Sequence, residues 1–461
     1  MIYIGHNQAA NAFVSFITKN EEAGWKKGEY LSSRYMIMED KVELVVGLGE
    51  EAIERKKVAN VCAKAMKEVK ALEYTKISVD VSNLISYFGD AILYNIVEGL
   101  RLGISDLQHY KSEQKETEYS IYLTGLKETE EVKEMVKKAE VIAESVLLAR
   151  KLVNAPANML TPVILAEQLS EMAKECGIEV EVLDEVAMKE INMNALISVG
   201  MSSGNMPRLI VLRYMGDKDS KEITGYIGKG VTMDTGGYCL KPAKSMIGMK
   251  GDMAGAATVA ATIFALAKNK EKTNVIAVIP ACENRISRDS FVPGDIITSM
   301  AGKTIEIGNT DAEGRLLLID AITYAIEKEG VTKVLDIATL TGAVVASFGS
   351  VMAGVVSNND EFYGQLERAA KVTCENYWRL PILDEYKKML NSKLADISNM
   401  SNGGCGTITA GIFIGEFANN LPWIHVDIAG TAWVDSPCYE FQTNYGTGAS
   451  VATLYHMQTV K

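Results

Sequence analysis

The sequence predicts an α/β protein of two domains, a small N-terminal α/β domain and a larger C-terminal α/β domain with a mixed central sheet flanked by helices. Three observations predict this architecture. The 461 residues are about three times a typical domain of about 150 residues. Strand-like apolar runs alternate with helical patterns on both sides of 128–153. That segment is itself a long helical pattern, which begins charged, becomes apolar and ends at Asn154-Ala155-Pro156.

The N-terminal α/β domain is predicted over 1–127. A helix is predicted over 52–69, and strands are predicted over 43–48, 76–81 and 120–123. The helix at 128–153 is predicted to connect this domain to the second one.

The second domain is predicted over 154–461, where the alternation continues. Strands are predicted over 223–231, 275–279, 334–337 and 423–428, helices over 254–268 and 316–327, and a hairpin over 296–307. The hairpin and the late strand favour a mixed sheet over a purely parallel one.

Composition excludes several classes of protein. The chain has 59 acidic and 47 basic residues, a net charge of −12, which repels nucleic acid and anionic lipid surfaces. Its apolar runs are shorter than the roughly 20 residues that span a bilayer. The first eight residues lack the basic stretch of an export signal, and the seven cysteines are scattered. We therefore expect a cytoplasmic protein with reduced cysteines, no membrane contact and no nucleic acid as its main partner.

Three glycine-rich segments carry charged residues in apolar surroundings, namely 228–242, 249–255 and 309–315. Their carboxylates are Asp234, Asp252, Asp311 and Glu313, and their bases are Lys229, Lys241 and Arg315. This mixture is typical of bound cations together with an anion. Taken singly, Asp252 and Asp311 have another interpretation, because each precedes a predicted helix and could cap it.

The segment 309–316, Asn-Thr-Asp-Ala-Glu-Gly-Arg-Leu, resembles the signature octapeptide of the leucine aminopeptidases, also called cytosol aminopeptidases. The lysine-to-lysine segment 229–241 matches that family at the same spacing. The resemblance continues through 154–158, 249–257, 338–342 and 423–433, whereas the first 125 residues match only weakly.

The resemblance implies a catalytic metallopeptidase domain with two divalent ions per subunit, Zn²⁺ or Mn²⁺, with Mg²⁺ or Co²⁺ also possible. Their ligands would be Lys229, Asp234, Asp252, Asp311 and Glu313, and two of these, Asp234 and Glu313, would bridge both ions. It further implies that Arg315 holds a bicarbonate that acts as general base and that Lys241 stabilises the oxyanion. The expected activity is bicarbonate-assisted hydrolysis of leucine- or methionine-like N-terminal residues in peptide turnover.

The resemblance also implies a pocket for the first substrate side chain, formed by Met249, Asn309, Thr339, Leu340 and Gly342. Peptides with a free N-terminus are the expected substrates, and a homohexamer is the expected assembly. The sequence departs from the family pattern at Thr235, at Tyr238-Cys239 and at Cys405, and none of these positions is a ligand.

Two other functions remain open at this point: a binding protein of the same fold with vestigial activity, and a dipeptidase specialised for cysteinyl-glycine. A zinc peptidase of another kind is disfavoured, because the histidines are dispersed (His6, His109, His425 and His456) and form no His-Glu-x-x-His motif. His425 lies in a strand pattern and is predicted to be a structural core residue.

Overall fold

This computed structural model describes residues 1–50, 53–107, 110–113 and 117–460. It divides into two compact units, the first of 1–144 with 436–444 and the second of 145–435 with 445–461. The domain boundaries predicted at 127 and 153 stay a prediction, because compactness alone does not show which segments fold independently. None of the described helices is long and apolar enough to cross a membrane.

The first unit contains one mixed sheet and its helices. Its strands are β1 (Ile2–Ile4), β2 (Ala12–Thr18), β3 (Ser33–Met38), β4 (Lys41–Gly49), β5 (Lys76–Asp80) and β6 (Ser120–Thr124). Its helices are α1 (Val58–Ala71), α2 (Ser82–Phe88) and α3 (Leu93–Ile104). The strand order is β1-β6-β5-β2-β4-β3, in which β3 alone is antiparallel to its neighbour. The three predicted strands correspond to β4, β5 and β6. The helix predicted over 52–69 is α1, which begins at 58. Residue 52 lies outside the described residues, as does His109.

The predicted connecting helix is α4 (Glu130–Asn154). Its buried positions recur every three or four residues, as at Val132, Val136, Ala139 and Ala143. Its periodicity is therefore that of an amphipathic helix. The division between the two compact units falls within it, after residue 144.

The second unit is larger. Its strands are β7 (Glu179–Leu183), β8 (Arg208–Met215), β9 (Thr224–Gly228), β10 (Gly230–Asp234), β11 (Asn274–Asn284), β12 (Ile296–Thr298), β13 (Thr304–Glu306), β14 (Lys333–Ala338), β15 (Ala353–Ser357), β16 (Tyr377–Arg379), β17 (Ile397–Ser398), β18 (Trp423–Asp427), β19 (Trp433–Val434) and β20 (Tyr445–Gly446). Its helices are α5 (Pro162–Glu175), α6 (Glu185–Glu190), α7 (Asn194–Gly200), α8 (Ala243–Met246), α9 (Ala254–Lys268), α10 (Gly314–Glu327), α11 (Gly342–Phe348), α12 (Asp360–Thr373), α13 (Asp384–Lys388), α14 (Gly406–Gly415) and α15 (Val451–Thr459).

The central sheet of this unit is mixed, as predicted. Its order is β16-β15-β18-β14-β9-β11-β8-β7, with β10 paired to β11. The inner strands β18, β14, β9 and β11 are parallel, whereas β7 pairs antiparallel with β8, β8 with β11, and β15 with β18. The predicted hairpin, β12 and β13, does not belong to this sheet, because it pairs with β17 in a separate three-stranded sheet.

The predicted strand 223–231 is wrong in one respect, because it is two strands that meet at Lys229. The Lys229 N–H donates to the carbonyl of Ile337, and the Lys229 carbonyl accepts from the N–H of Ala256. The backbone at 229 is thus bound to the end of β14 and to the first turn of α9. After Lys229 the chain continues as β10, which pairs with residues 281–284 at the C-terminal end of β11.

Helices pack in two groups against this sheet. One group is α9, α12 and α15, and the other is α7, α10 and α14, and both groups contact the inner strands. Residues 254–267 of α9 are all buried. Because β9, β11, β14 and β18 are parallel, their carboxyl ends meet at one edge of the sheet, where polar side chains collect.

Candidate metal centre

The charged residues selected from the sequence lie at the carboxyl edge of the central sheet. Lys229 follows β9, and Asp234 is the last residue of β10. Asp252 lies between a 3₁₀ turn at Met249–Gly251 and α9. Asp311 and Glu313 belong to the loop between β13 and α10. Elements far apart in the sequence thus bring these side chains to one place.

Lys229 is buried between two of the carboxylates. Its Nζ lies 2.7 Å from Asp252 Oδ2 and 2.8 Å from Glu313 Oε1. It also donates a hydrogen bond of 3.1 Å to the carbonyl oxygen of Thr339, and the Thr339 hydroxyl donates to Asp252 Oδ1 at 2.7 Å. The residue after β14 therefore orients both Lys229 and Asp252.

Lys241 contacts the other two carboxylates. Its Nζ lies 2.8 Å from Asp234 Oδ2 and also contacts Asp311 Oδ1. Asp234 Oδ1 accepts from the N–H of Gly236 and from Asn284 Nδ2, each at 2.9 Å. Asn284 ends β11, directly beside Asp234 in the strand register. Asp234 is consequently held by three donors in addition to its place at the end of a strand.

The carboxylates form a cluster that suits a cation. Asp234, Asp252 and Glu313 are buried and each offers an oxygen within 4.8 Å of the others. Asp252 Oδ2, Asp311 Oδ1 and Glu313 Oε1 are buried and make no well-directed hydrogen bond among the described residues, although each contacts a lysine. The four carboxylates outnumber the two lysines, so a cation would offset the excess of negative charge.

The pKa values follow from this crowding. Burial, and then the charge of Asp234, raise the pKa of Glu313 above that of an ordinary glutamate. Burial likewise raises the pKa of Asp252, against the opposing charge of Lys229. Burial lowers the pKa of Lys229, but Asp252 and Glu313 more than offset it, so the net shift is upward. The two ammonium groups are stabilised by the same carboxylates that a cation would bind.

Neither Asp252 nor Asp311 is a helix cap. The N-cap residue of α9 is Met253 and that of α10 is Glu313, and no side-chain capping bond is made at either helix. The alternative interpretation of these two acids is therefore wrong. Their oxygens are directed to Lys229 and Lys241 instead.

Arg315 lies in the first turn of α10 and is buried. Its Nη1 donates to the carbonyl oxygen of Asn399 at 2.7 Å, and its guanidinium lies 6.0 Å from the ring centre of Phe413. Burial lowers the pKa of this guanidinium to about 10. Its Nε has no hydrogen-bond partner among the described residues, so one buried donor remains for an anion.

The residues predicted to bind the substrate side chain surround the same edge. Met249 and Asn309 are half-buried, and Thr339 contacts Lys229 and Asp252 as described. Leu340 packs in part against the hydrophobic core, and Gly342 is exposed at the start of α11. Thr339 hydrogen-bonds with Lys229 and Asp252, and Asn309 Oδ1 accepts from the N–H of Asp311 at 2.8 Å.

Three residues that the sequence analysis did not select support the site. Asn284 binds Asp234, Asn399 binds the loop that carries Asp311 and Glu313, and Asp427 binds the loop after β14. Asp427 accepts the Thr341 hydroxyl at 2.6 Å. Asn284 and Asp427 each end an inner strand. A polar residue at the end of a predicted strand is the only signal in the sequence that could have identified them.

Two family models match the chain. The catalytic domain of the cytosol aminopeptidase family matches residues 147–455, and its N-terminal domain matches residues 7–114. A probable cytosol aminopeptidase of Clostridium perfringens is 43% identical over 460 residues, covering 98% of this chain and 93% of that protein. One of Alkaliphilus metalliredigens is 40% identical, covering 90% and 84%.

A solved structure described as the bottromycin maturation enzyme BotP in complex with Mn has the same fold. It superposes with a TM-score of 0.90 at 29% identity and covers 98% of this chain and 99% of its own. Matches of this extent, over both family domains, show that the chain belongs to the cytosol aminopeptidase family and is a metallo-aminopeptidase.

Proposed function

We propose that the chain is a binuclear aminopeptidase that removes leucine- or methionine-like residues from the N-terminus of peptides, with bicarbonate as an assisting base. The observation that carries the proposal is the buried cluster of Asp234, Asp252 and Glu313, whose oxygens lie within 4.8 Å of one another beside two lysines. Such a cluster has excess negative charge and oxygen donors, which divalent cations prefer.

Lys229, Asp234, Asp252, Asp311 and Glu313 would hold two divalent ions, with Asp234 and Glu313 shared between them. Manganese is favoured because BotP is described as a complex with Mn, and zinc, magnesium and cobalt suit the same donors. The ions supply a polarised carbonyl and an activated water. Lys229 must lose its proton to become a ligand, and nearby cations favour that loss.

Lys241 and Arg315 have different roles in this proposal. Lys241 stays protonated and donates to the oxygen of the substrate carbonyl as negative charge develops on it. Arg315, with its free Nε donor, holds the bicarbonate. Met249, Asn309, Thr339, Leu340 and Gly342 hold the first side chain of the substrate. We propose that the enzyme acts in the cytoplasm as a homohexamer.

The test begins with metal analysis of the purified protein and with rates on a panel of aminoacyl-amides. Leucyl-amide should be hydrolysed and N-acetyl-leucyl-amide should not, because acetylation removes the amine lone pair that orients the substrate at the site. Methionyl-amide should be hydrolysed at a rate similar to that of leucyl-amide, and the charged aspartyl-amide should be hydrolysed slowly. Equal rates on the free and acetylated compounds would assign the site to an endopeptidase or another amide hydrolase.

A further inference from the structure

Asn399 is a fully buried residue whose side chain binds the loop between β13 and α10. Its Oδ1 accepts from the N–H groups of Gly308, at 2.8 Å, and Asn309, at 3.3 Å. Its Nδ2 donates to the carbonyl oxygens of Asn309, at 2.8 Å, and Ala312, at 3.3 Å. Both ends of one amide group are therefore used, and all of its partners are backbone atoms of the same loop.

The backbone of Asn399 reaches the two elements that flank this loop. Its N–H donates to the carbonyl oxygen of Glu306, the last residue of β13, at 3.0 Å. Its carbonyl oxygen accepts from Arg315 Nη1 in the first turn of α10, at 2.7 Å. One residue consequently joins the strand before the loop, the loop itself and the helix after it.

This loop carries three groups of the candidate site. Asp311, Glu313 and Arg315 lie within five residues of one another, and the segment 307–313 is neither helix nor strand. Its backbone polar groups therefore need partners from outside the loop. An amide supplies donor and acceptor together, whereas a leucine of similar size supplies neither and leaves those part-buried backbone groups without this partner.

We propose that Asn399 is a positioning residue of the metal centre. It holds the conformation of 308–315 in which Asp311 and Glu313 face the cations and Arg315 is fixed at the first turn of α10. The inference rests on the proposed function, since it takes these carboxylates to be metal ligands. Substitution of residues that orient metal ligands typically weakens metal affinity or activity about 10- to 100-fold.

Asn274 offers a matched control within the same unit. It is also buried, and its amide also ties down a loop through both ends. Its Nδ2 donates to the carbonyl oxygens of Asp217, at 2.8 Å, and Ser220, at 3.2 Å, and its Oδ1 accepts from the Asp217 N–H at 2.9 Å. It begins β11, the end of that strand opposite to Asn284 at the metal centre.

The experiment compares Asn399→Leu and Asn399→Ala with Asn274→Leu and Asn274→Ala. Mn²⁺ is titrated into each metal-free protein by calorimetry, and urea unfolding of the metal-free proteins measures stability. We expect the Kd for Mn²⁺ to rise about 10- to 100-fold in the Asn399 variants and to stay within about twofold in the Asn274 variants. At saturating Mn²⁺, the fold-decrease in kcat on leucyl-amide should exceed the fold-change in KM in the Asn399 variants. The Asn274 variants should not show this difference. The alanine variants serve where a leucine variant does not fold.

An unchanged Kd for Mn²⁺ in the Asn399 variants would overturn the inference. An equal weakening in Asn274 variants of equal stability would also overturn it, because the effect would then follow from general destabilisation. If the unsubstituted chain binds no Mn²⁺, the proposed metal site fails and the inference fails with it. Binding by that chain together with unaffected Asn399 variants removes the inference alone and leaves the proposed function standing.

Discussion

The two lysines of the candidate metal centre have the same charge but different surroundings. Lys229 is buried and bound on three sides, by Asp252, Glu313 and the carbonyl of Thr339. Lys241 is partly exposed and contacts Asp234 and Asp311 from the segment after β10. A buried amine among cation ligands is suited to ligation once it is neutral, whereas a more exposed one can remain charged and meet a substrate.

Substitution of these two lysines should therefore give different results. Lys241→Ala should lower kcat on leucyl-amide about 10²- to 10³-fold and leave the bound metal unchanged, because its positive charge does not attract cations. Lys229→Ala should lower the bound metal as well. Metal analysis and steady-state kinetics measure both effects, with the exposed Lys244→Ala as the control. Loss of metal in Lys241→Ala would contradict its assignment.

Gly314 leaves the space that the Lys229 side chain occupies. A Cβ at this position would lie 2.6 Å from Lys229 Cε and 2.8 Å from its Nζ. Gly314→Ala should therefore displace Lys229 and reduce both metal content and hydrolysis at least tenfold. Gly364→Ala is the matched control, because it also adds a methyl group to a helix, with its nearest atom at 3.6 Å. Full metal content in Gly314→Ala would contradict this prediction.

At the scale of elements, β14 and β18 share a buried polar pair. His425 Nδ1 lies 2.5 Å from Asp336 Oδ1, and Trp423 Nε1 donates to Asp336 Oδ2 at 2.7 Å. All three side chains are buried in the central sheet. His425 is buried in the sheet, as predicted, and its hydrogen-bond partner Asp336 lies on the neighbouring strand.

This pair predicts how stability depends on pH. Burial lowers the pKa of His425, but the carboxylate of Asp336 and then that of Asp427 more than offset it, against the opposing charge of Arg315, so the net shift is upward from 6.5. The stabilisation that protonated His425 provides is therefore complete below pH 6.5, and it is lost as the pH rises through the folded-state pKa. Across that range the free energy of unfolding falls by up to about 1.4 kcal/mol per pH unit.

Urea unfolding between pH 6 and pH 9 measures this slope. The free energy of unfolding should fall across that range in the unsubstituted chain, and the same fall should be absent from His425→Gln, which cannot titrate. His6→Gln, a histidine outside the sheet, should keep it. Parallel pH profiles in His425→Gln and His6→Gln would contradict a raised pKa for His425 in the folded protein.

At the scale of the whole molecule, we propose that copies of the chain assemble. Membership of the cytosol aminopeptidase family rests on matches that span both domains. The resemblance to this family implies a homohexamer, an assembly with closed symmetry. The expected mass is about six times the 50.2 kDa of one chain.

Light scattering of the purified protein at micromolar concentration tests this expectation. A particle near six chains should persist when metal is removed, provided that the subunit contacts lie outside the metal centre. A mass of 50.2 kDa, that of one chain, would contradict the hexamer and would leave the proposed reaction unaffected.

Local patterns predicted much of the fold. The helix expected over 254–268 is α9 with those bounds, because its small apolar residues and its flanking lysine mark it clearly. The strand expected over 223–231 is divided at Lys229, because the hydrogen bonds that divide it come from Ile337 and Ala256. No periodicity within 223–231 records partners that lie elsewhere in the chain.

The sequence by itself determined the family and the short segments that carry the charged residues, because those segments are local and specific. Only the tertiary structure decided which groups hold them in place. Asn399 binds Asn309 across 90 positions, and the Thr339 hydroxyl binds Asp252 across 87. A buried asparagine or threonine looks the same in a sequence whether it supports a site or an unrelated loop, as Asn274 does. Whether such a residue supports the site depends on which strand ends the parallel sheet brings together. The hydrogen bonds that hold the site exist only after that packing.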